Sequence, residues 1–558
     1  MAQEGLPGDV AVLIVGGGPV GLALACDLGR RGIGCLVVEQ RAGLLSHPRA
    51  NTHSARSMEF YRRLGIARAF RAAGLPDDYP TDSVYVTRLA GYELARLALP
   101  SKRESLAAAR AGNASWPTPE PQYRASQRYL EPLLLDCARA APGTTVAFGW
   151  RVVELDERGR DVIATVEEVG TGRRRRIAAA YVVGCDGARS LTRRTMRTRY
   201  DGEGGIDQPF MGGQMLSTYF RAPGLRAAMG IAPAWQYWAI TPEIRAVMVA
   251  IAWPDDFLLH VQLGPEIDPA AIDPAQVIAR AVGRPVSCEI LSSAPWRAGQ
   301  ALVAERYRAG RLIIAGDAAH LFTPTGGFGV NTGIEDIANL GWKLAAAVEG
   351  WGGTALLDSY EAERRPIAFR NTRAALSLAR AVGQCPVGPD IEEDSAAGAA
   401  SRAQAADHII RVAADEFDTP GIQLGACYEG SAIVTADGSE AVPDLPGSYV
   451  PTSRPGARAP HLWLGDDDSL LDRFGRDFTL LCRRGDPGPL LAEAAGLGLR
   501  LDVVAVEAPG LAELYPADFT LIRPDHHVAW RGAPGDAHAA LRRAVGLHHG
   551  LADEQRVA

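Results

Sequence analysis

Lysine is almost missing from this chain. Of its 558 residues 58 are basic, yet Lys102 and Lys343 are the only lysines, so 56 positive charges sit on arginine. Against 65 acidic residues this leaves a net charge of −7 at pH 7. Such a balance excludes a protein that holds nucleic acid by a general excess of positive charge. The arginine excess reads first as a coding bias and second as a set of anion-binding forks. Cysteine is sparse as well: Cys26, Cys35, Cys137, Cys185, Cys288, Cys385, Cys427 and Cys482 stand singly, with no C-x-x-C and no Cys/His pair at zinc spacing. A disulfide framework, a dithiol centre and a metal knuckle are thereby excluded, and a reducing compartment is expected. No apolar run reaches the roughly 20 residues that span a bilayer, and MAQEGLPGD lacks the basic start of a signal peptide. The expectation is a soluble cytoplasmic protein without membrane or nucleic-acid partners. Glycine (61) and proline (37) are plentiful, but 47% apolar and 22% charged residues describe a globular chain with many turns.

The most legible stretch is the first 45 residues. Val10–Val15 (VAVLIV) is a β-branched apolar run, as a strand buried on both faces requires. Gly16-x-Gly18-x-x-Gly21 follows at once, then an amphipathic helical stretch to Gly32, then a second strand, Cys35–Glu39. In this setting Gly16 allows a tight turn, Gly18 lets backbone N–H groups approach a pyrophosphate, and Gly21 lets helix and sheet pack closely. Glu39, 18 residues after Gly21, can accept from both ribose hydroxyls of an adenosine and disfavours a 2′-phosphate there. FAD or NAD is the expected dinucleotide.

A second constellation separates these. RLIIAGDAAHLFTPTGGFGVNTGIEDIANLGW (311–342) is a strand ending in Gly316-Asp317, a loop with Pro324 and three glycines, and a helix beginning near Val330-Asn331. Asp317 can accept from a ribityl hydroxyl. A glycine-rich loop entering a helix N-terminus offers N–H groups and positive dipole to a flavin pyrimidine. Elsewhere helices are expected over 50–64 and 124–140, and a β-meander over 146–183 with the Arg173–Arg176 run at a solvated turn. Strands are expected over 205–265, a small-residue flexible stretch near 384–407, and a compact α/β unit after 455.

The strings GGGPVG…E, VVGCDGARSLTRR and GDAAHLFTPTGGFGVNTG, in this order, resemble the class A flavoprotein monooxygenases of the p-hydroxybenzoate and phenol hydroxylase group. The resemblance covers roughly residues 8–385, and the tail resembles the thioredoxin-like C-terminal domain of the phenol-hydroxylase branch. It implies an α/β fold with an FAD-binding Rossmann-like (glutathione-reductase-type) domain over 1–200, which includes an interleaved β-meander. An antiparallel substrate sheet would follow over 201–300, the FAD domain would resume over 301–385 with a helical extension, a linker would fill 386–455, and 456–558 would be thioredoxin-like. Without C-x-x-C that last domain would serve a structural or homodimerising role.

Carried over residue by residue, the resemblance puts Gly16, Gly18, Pro19, Val20 and Gly21 at the FAD pyrophosphate and Glu39, Gln40 and Arg41 at the adenosine. Arg49, Gln127, Val152, Asp186 and Gly187 (with Arg193) are further cofactor-binding candidates. Gly316 and Asp317 fall at the ribityl chain, and Pro324, Gly327, Gly329, Val330 and Asn331 at the isoalloxazine. Phe328 and Val330 depart from the Gln and Met or Leu of many relatives. The implied chemistry is reduction of FAD by NADPH or NADH, addition of O₂ at flavin C4a, and oxygen transfer to a small aromatic substrate, phenolic or polyketide-type. Epoxidation, Baeyer–Villiger oxidation and flavin sensing without turnover stay open. His53, Tyr237 and His320 are the candidates for substrate activation, each with a packing role as the alternative.

Overall fold

The computed structural model describes residues 5–113, 115–205 and 212–547. Strand Asp9–Val15 lies between Cys35–Glu39 and Arg174–Gly184, parallel to both, and Leu312–Ile314 continues the parallel sheet beyond them. Helix Pro19–Arg30 packs beneath it, with Leu22, Leu24 and Leu28 fully buried. The meander Trp150–Arg158, Asp161–Glu168 and Arg174–Gly184 is antiparallel, and Arg173–Arg176 is exposed at its turn as expected.

A seven-stranded sheet forms the second layer. Its strands are not confined to 201–300: Ser83–Val86 pairs in parallel with Gln236–Ile240, and Glu93–Leu97 forms the edge beyond it. The run SVYV is fully buried, so its apolar side chains need a partner surface that the first domain does not offer. Register assigns this sheet's two faces, because neighbouring residues on a strand point oppositely. Tyr85, Trp238, Val247, His260 and Ser217 align across five strands as one row. Val84, Tyr237, Met248, Leu259 and Thr218 form the row on the other face. His47, in the loop after the second strand of the first domain, contacts Ser217 Oγ at 2.9 Å and Ser292 Oγ at 2.7 Å. The Tyr85–Trp238 face is therefore the one turned toward the first domain.

Residues 386–455 do not behave as the loose connector that composition suggested. They hold helix Ala396–Val412 and the short helices Ala414–Phe417 and Pro420–Leu424. Ile391, Ala405, Ile409, Ala413 and Phe417 join the core of the seven-stranded sheet. Small residues that looked flexible let this helix lie close to its neighbours. Beyond it, Leu501–Val504, Phe478–Cys482, Phe519–Ile522 and Val528–Gly532 make a four-stranded sheet with helices Gly488–Gly496 and Ala537–Ala544, the thioredoxin-like unit. That unit shares one core with the flavin-type helix Phe328–Glu349, since Trp342 and Ala346 pack among Phe478, Leu480 and Trp530. Among the described residues no helix is long and apolar enough to cross a membrane.

Candidate active site

The dinucleotide cradle is built by close backbone approach. At Gly16 (φ 108°) a Cβ would stand 2.3 Å from the carbonyl oxygen of Cys185, and at Gly21 it would stand 2.1 Å from that of Gly16. Gly18 faces open space and is the N-cap of helix Pro19–Arg30, which has no side-chain cap. Its first N–H groups are thus presented to whatever sits in front of the helix. Glu39 accepts from Gly17 N at 2.8 Å and from Arg41 Nε at 2.8 Å. Burial opposes its charge, but the Arg41 and Gly17 donors outweigh this and hold the carboxyl below its usual range. Gln40 is exposed just beyond, and Val152 is half-buried at the margin of the core.

The second half of the cradle is the turn Gly316–Ala318. Gly316 (φ 59°) abuts Val20, and a Cβ on Gly333 would lie 3.2 Å from Gly316 Cα, so the two cofactor-type helices meet here. Asp317 is exposed at the mouth, and the charge of Arg49, also exposed, acts on it. Gln127 donates to Glu131 Oε1 at 2.6 Å, leaving Glu131 Oε2 buried without a partner. Pro324 is exposed, while Gly326 and Gly327 turn with φ 77° and 67° into helix Phe328–Glu349, whose N-terminus again has no side-chain cap. Two uncapped helix N-termini, a paired acid at the second strand and an open glycine between them fit the pyrophosphate, ribose and pyrimidine of FAD.

Several expected ligands turn out to shape the cradle. Asp186 accepts from Ser190 Oγ (2.5 Å), Leu191 N (2.7 Å) and Thr192 N (3.1 Å), and so fixes the turn at Gly187. Arg193 donates to the carbonyl of Ala318 at 3.2 Å and to Tyr200 Oη at 2.6 Å. Asn331 donates to the carbonyls of Thr52 (3.0 Å) and Gly327 (2.6 Å) and accepts from Ser54 N. Phe328 is buried with Ala375 and Ile422, and Gly329 and Val330 are half-buried in the following turn. The main chain of that loop, with the hydroxyls of Thr323 and Thr325, is left to meet a flavin.

The three candidates for substrate activation do other work. His53 is fully buried, edge-on to Tyr61 and Phe70, and burial pushes it down to about 3, so it stays neutral in the core. His320 Nε2 lies 2.6 Å from Asp336 Oδ2, and Asp336 also takes Gly316 N and Arg364 Nε. His320 therefore braces the Gly316–Asp317 turn from behind. Tyr237 lies on the far face of the sheet, where its hydroxyl accepts from Ala234 N at 2.7 Å. A shift of one residue along the strand, from Tyr237 to Trp238, moves the side chain to the site.

The sheet face turned toward the first domain carries a group of residues that no sequence motif announces. Tyr85 and Trp238 stack at 5.6 Å, and His260 meets Trp296 edge-on at 5.6 Å. Arg124 is held over Trp235 at 4.7 Å and Phe417 at 5.4 Å. Glu416 accepts from Gly326 N of the loop at 3.1 Å. Among the described residues, Tyr85 Oη, Arg245 Nη1, His260 Nδ1, Trp296 Nε1, Thr323 Oγ1, Thr325 Oγ1 and Glu416 Oε2 are buried without a hydrogen-bond partner. Bare buried polar atoms are expensive, and these seven lie on one sheet face, on the glycine-rich loop and on Glu416. The available signal was a polar residue at an inward position of an apolar strand, as His260 in FLLHVQ; Glu416 had none.

Residues 9–375 match the FAD binding domain family, and residues 452–550 match the aromatic-ring hydroxylase C-terminal domain. Aklavinone 12-hydroxylase RdmE of Streptomyces purpurascens is 32% identical over 95% of this chain and 97% of its own length. RebC, in a structure soaked with chromopyrrolic acid and holding 7-carboxy-K252c, superposes with a TM-score of 0.87 at 36% identity, over 97% of this chain and all of RebC. An aklavinone-11 hydroxylase in ternary complex with FAD and aklavinone gives 0.78 at 29% identity, over 96% and 99% of the two chains. The chain belongs to the FAD-dependent monooxygenases that carry the aromatic-ring hydroxylase C-terminal domain.

Proposed function

We propose that this monooxygenase hydroxylates a polycyclic phenol of polyketide type with NAD(P)H and O₂. The observation that carries the reading is the set of bare buried polar atoms on an aromatic face opposite the glycine-rich loop. Fused rings would lie against Tyr85, Trp238 and Trp296, and ring oxygens would take up the donors of Tyr85, Arg245 and His260. The relatives named above hydroxylate aklavinone or hold 7-carboxy-K252c, and the C-terminal domain is that of aromatic-ring hydroxylases, which supports an aromatic substrate.

FAD, when bound, takes electrons from NAD(P)H and supplies the activated oxygen. The chain's own part is placement. Gly16, Gly18, Gly21 and Glu39 would hold the adenosine and pyrophosphate, Asp317 the ribityl chain, and the main chain of 324–330 the ring system. The sheet face opposite keeps water from the reacting edge. The FAD-loaded protein should consume NADPH or NADH faster when hydroxylated anthraquinones are added, and release a product heavier by one oxygen. Consumption that ignores every aromatic, or an unaltered aromatic at the end, would contradict the proposal.

A further inference from the structure

Glu416 lies on Ala414–Phe417, a four-residue helix in a stretch that carries no recognisable motif. One carboxylate oxygen accepts from Gly326 N in the glycine-rich loop, and the other, Oε2, is buried without a partner among the described residues. The residue is 8% exposed. Among the described residues no cation is hydrogen-bonded to Glu416 in the way Arg458 is bonded to Glu59, and the nearest positive charge acting on it is that of Arg124. Its surroundings are those of the proposed substrate pocket. Phe417 beside it helps hold Arg124, and both Arg124 and the bare hydroxyl of Tyr85 feel its charge.

From this geometry we infer that Glu416 is the base that takes the phenolic proton of the substrate beside the flavin loop. The inference rests on the reading of the pocket as a phenol hydroxylation site. In the step, the phenolic O–H bond breaks and a new O–H bond forms on Oε2. Glu416 goes from anion to neutral acid and the substrate from neutral phenol to phenolate. The released electron pair raises electron density at the ring carbons that must meet electrophilic oxygen. The Gly326 N–H holds the other oxygen, so the carboxylate cannot turn away, and the cation of Arg124 shares the negative charge before and after transfer.

The groups facing Glu416 leave it as the one that titrates near neutrality. Burial pushes its carboxyl up to about 7, against the pull of Gly326 N–H and Arg124. Burial also lowers Arg124, to about 10, so it stays a cation, and raises Tyr85 well above 10, so it stays neutral. Farther out, beside Tyr85, burial pushes Cys385 up to about 11, and the half-buried Arg245 pulls the other way.

The test uses FAD-loaded wild type and Glu416→Gln with quinizarin, a dihydroxyanthraquinone whose colour reports ionisation. Wild type should bind the dye and convert it to the violet phenolate at a lower pH than the free dye needs. The Gln variant should bind it with similar affinity, keep it orange at that pH, and lose about 100-fold in hydroxylated product. NAD(P)H should still be consumed by the variant. A Gln variant that ionises the dye and forms product as wild type does would overturn the inference. If wild type itself neither binds nor hydroxylates quinizarin or its isomers, the phenol reading fails first and takes the inference with it. Should the Gln variant not retain FAD, the wild-type titration decides alone, and a bound dye that never ionises refutes the role.

Discussion

Two buried polar regions of this molecule, one against helix Phe328–Glu349 and one on the Tyr85 face of the seven-stranded sheet, treat their charges in opposite ways. At the C-terminal side Arg523 makes paired bonds to Glu363 (2.7 and 2.8 Å) and to Asp525 (3.1 and 2.6 Å). Lys343, one of two lysines in the chain, adds Glu363 at 2.6 Å and Asn339 at 2.8 Å, and Ser431 completes the carboxylate. Every one of these bonds stays within the protein. At the flavin side Tyr85, Arg245, His260, Trp296 and Glu416 leave atoms bare. The difference is one of charge: the C-terminal cluster pairs each of its ions within the protein, whereas at the flavin side Glu416 and Arg245 each keep a polar atom bare.

The comparison breaks most visibly by removing Glu363. Glu363→Ala strands Arg523 and Lys343 without their shared anion and should cost about 3–5 kcal/mol, seen as a lower denaturation midpoint with loss of the thioredoxin-like unit. Glu416→Gln, on the bare side, keeps an acceptor for Gly326 N and should lower the midpoint by less, about 1–2 kcal/mol.

Acid probes the same contrast. Burial pushes His53, His461 and His527 down to about 3 each. The unfolded chain takes up these protons near 6.5 and the folded one does not, so stability is full above about 6.5 and falls as pH drops toward 3. Each histidine should cost about 2 kcal/mol by pH 5, readable as a falling Tm between pH 7 and 5. Glu59 runs in the usual carboxylate direction. Burial opposes its charge, but Arg458 and Arg56 overcome this and lower it to about 2, so its contribution is present above about 4.5 and lost as pH falls toward 2.

A smaller effect separates cradle from scaffold among the glycines. Gly18→Ala places its Cβ in open space and should fold normally while binding FAD several-fold more weakly. Gly21→Ala collides with the Gly16 carbonyl at 2.1 Å and should lower both Tm and FAD content. The ratio of flavin to protein absorbance, read beside Tm, distinguishes the two.

The first domain was legible because its chemistry is written in backbone: glycines that must approach Cys185 or Val20 have no substitute, and their spacing survives in the string. The substrate face was not. Its residues come from 83–86, 124, 235–262, 296 and 416, brought together by a parallel pairing of Ser83–Val86 with Gln236–Ile240 that no local pattern announces. Tyr237 was a reasonable aromatic candidate defeated by the period of the strand. His53 and His320 lay beside the right motifs but are drawn into the core and onto Asp336.

The central claim, that the Tyr85 face and not the Tyr237 face receives the substrate, is tested most directly by quinizarin titration of FAD-loaded Tyr85→Phe and Tyr237→Phe. Tyr85→Phe removes a hydroxyl that is bare among the described residues and should weaken binding about 5-fold or more with Tm little changed. Tyr237→Phe frees the N–H of Ala234 and should lower stability by about 1 kcal/mol with binding unchanged. The reverse pattern, binding lost at Tyr237 and stability lost at Tyr85, would contradict the account.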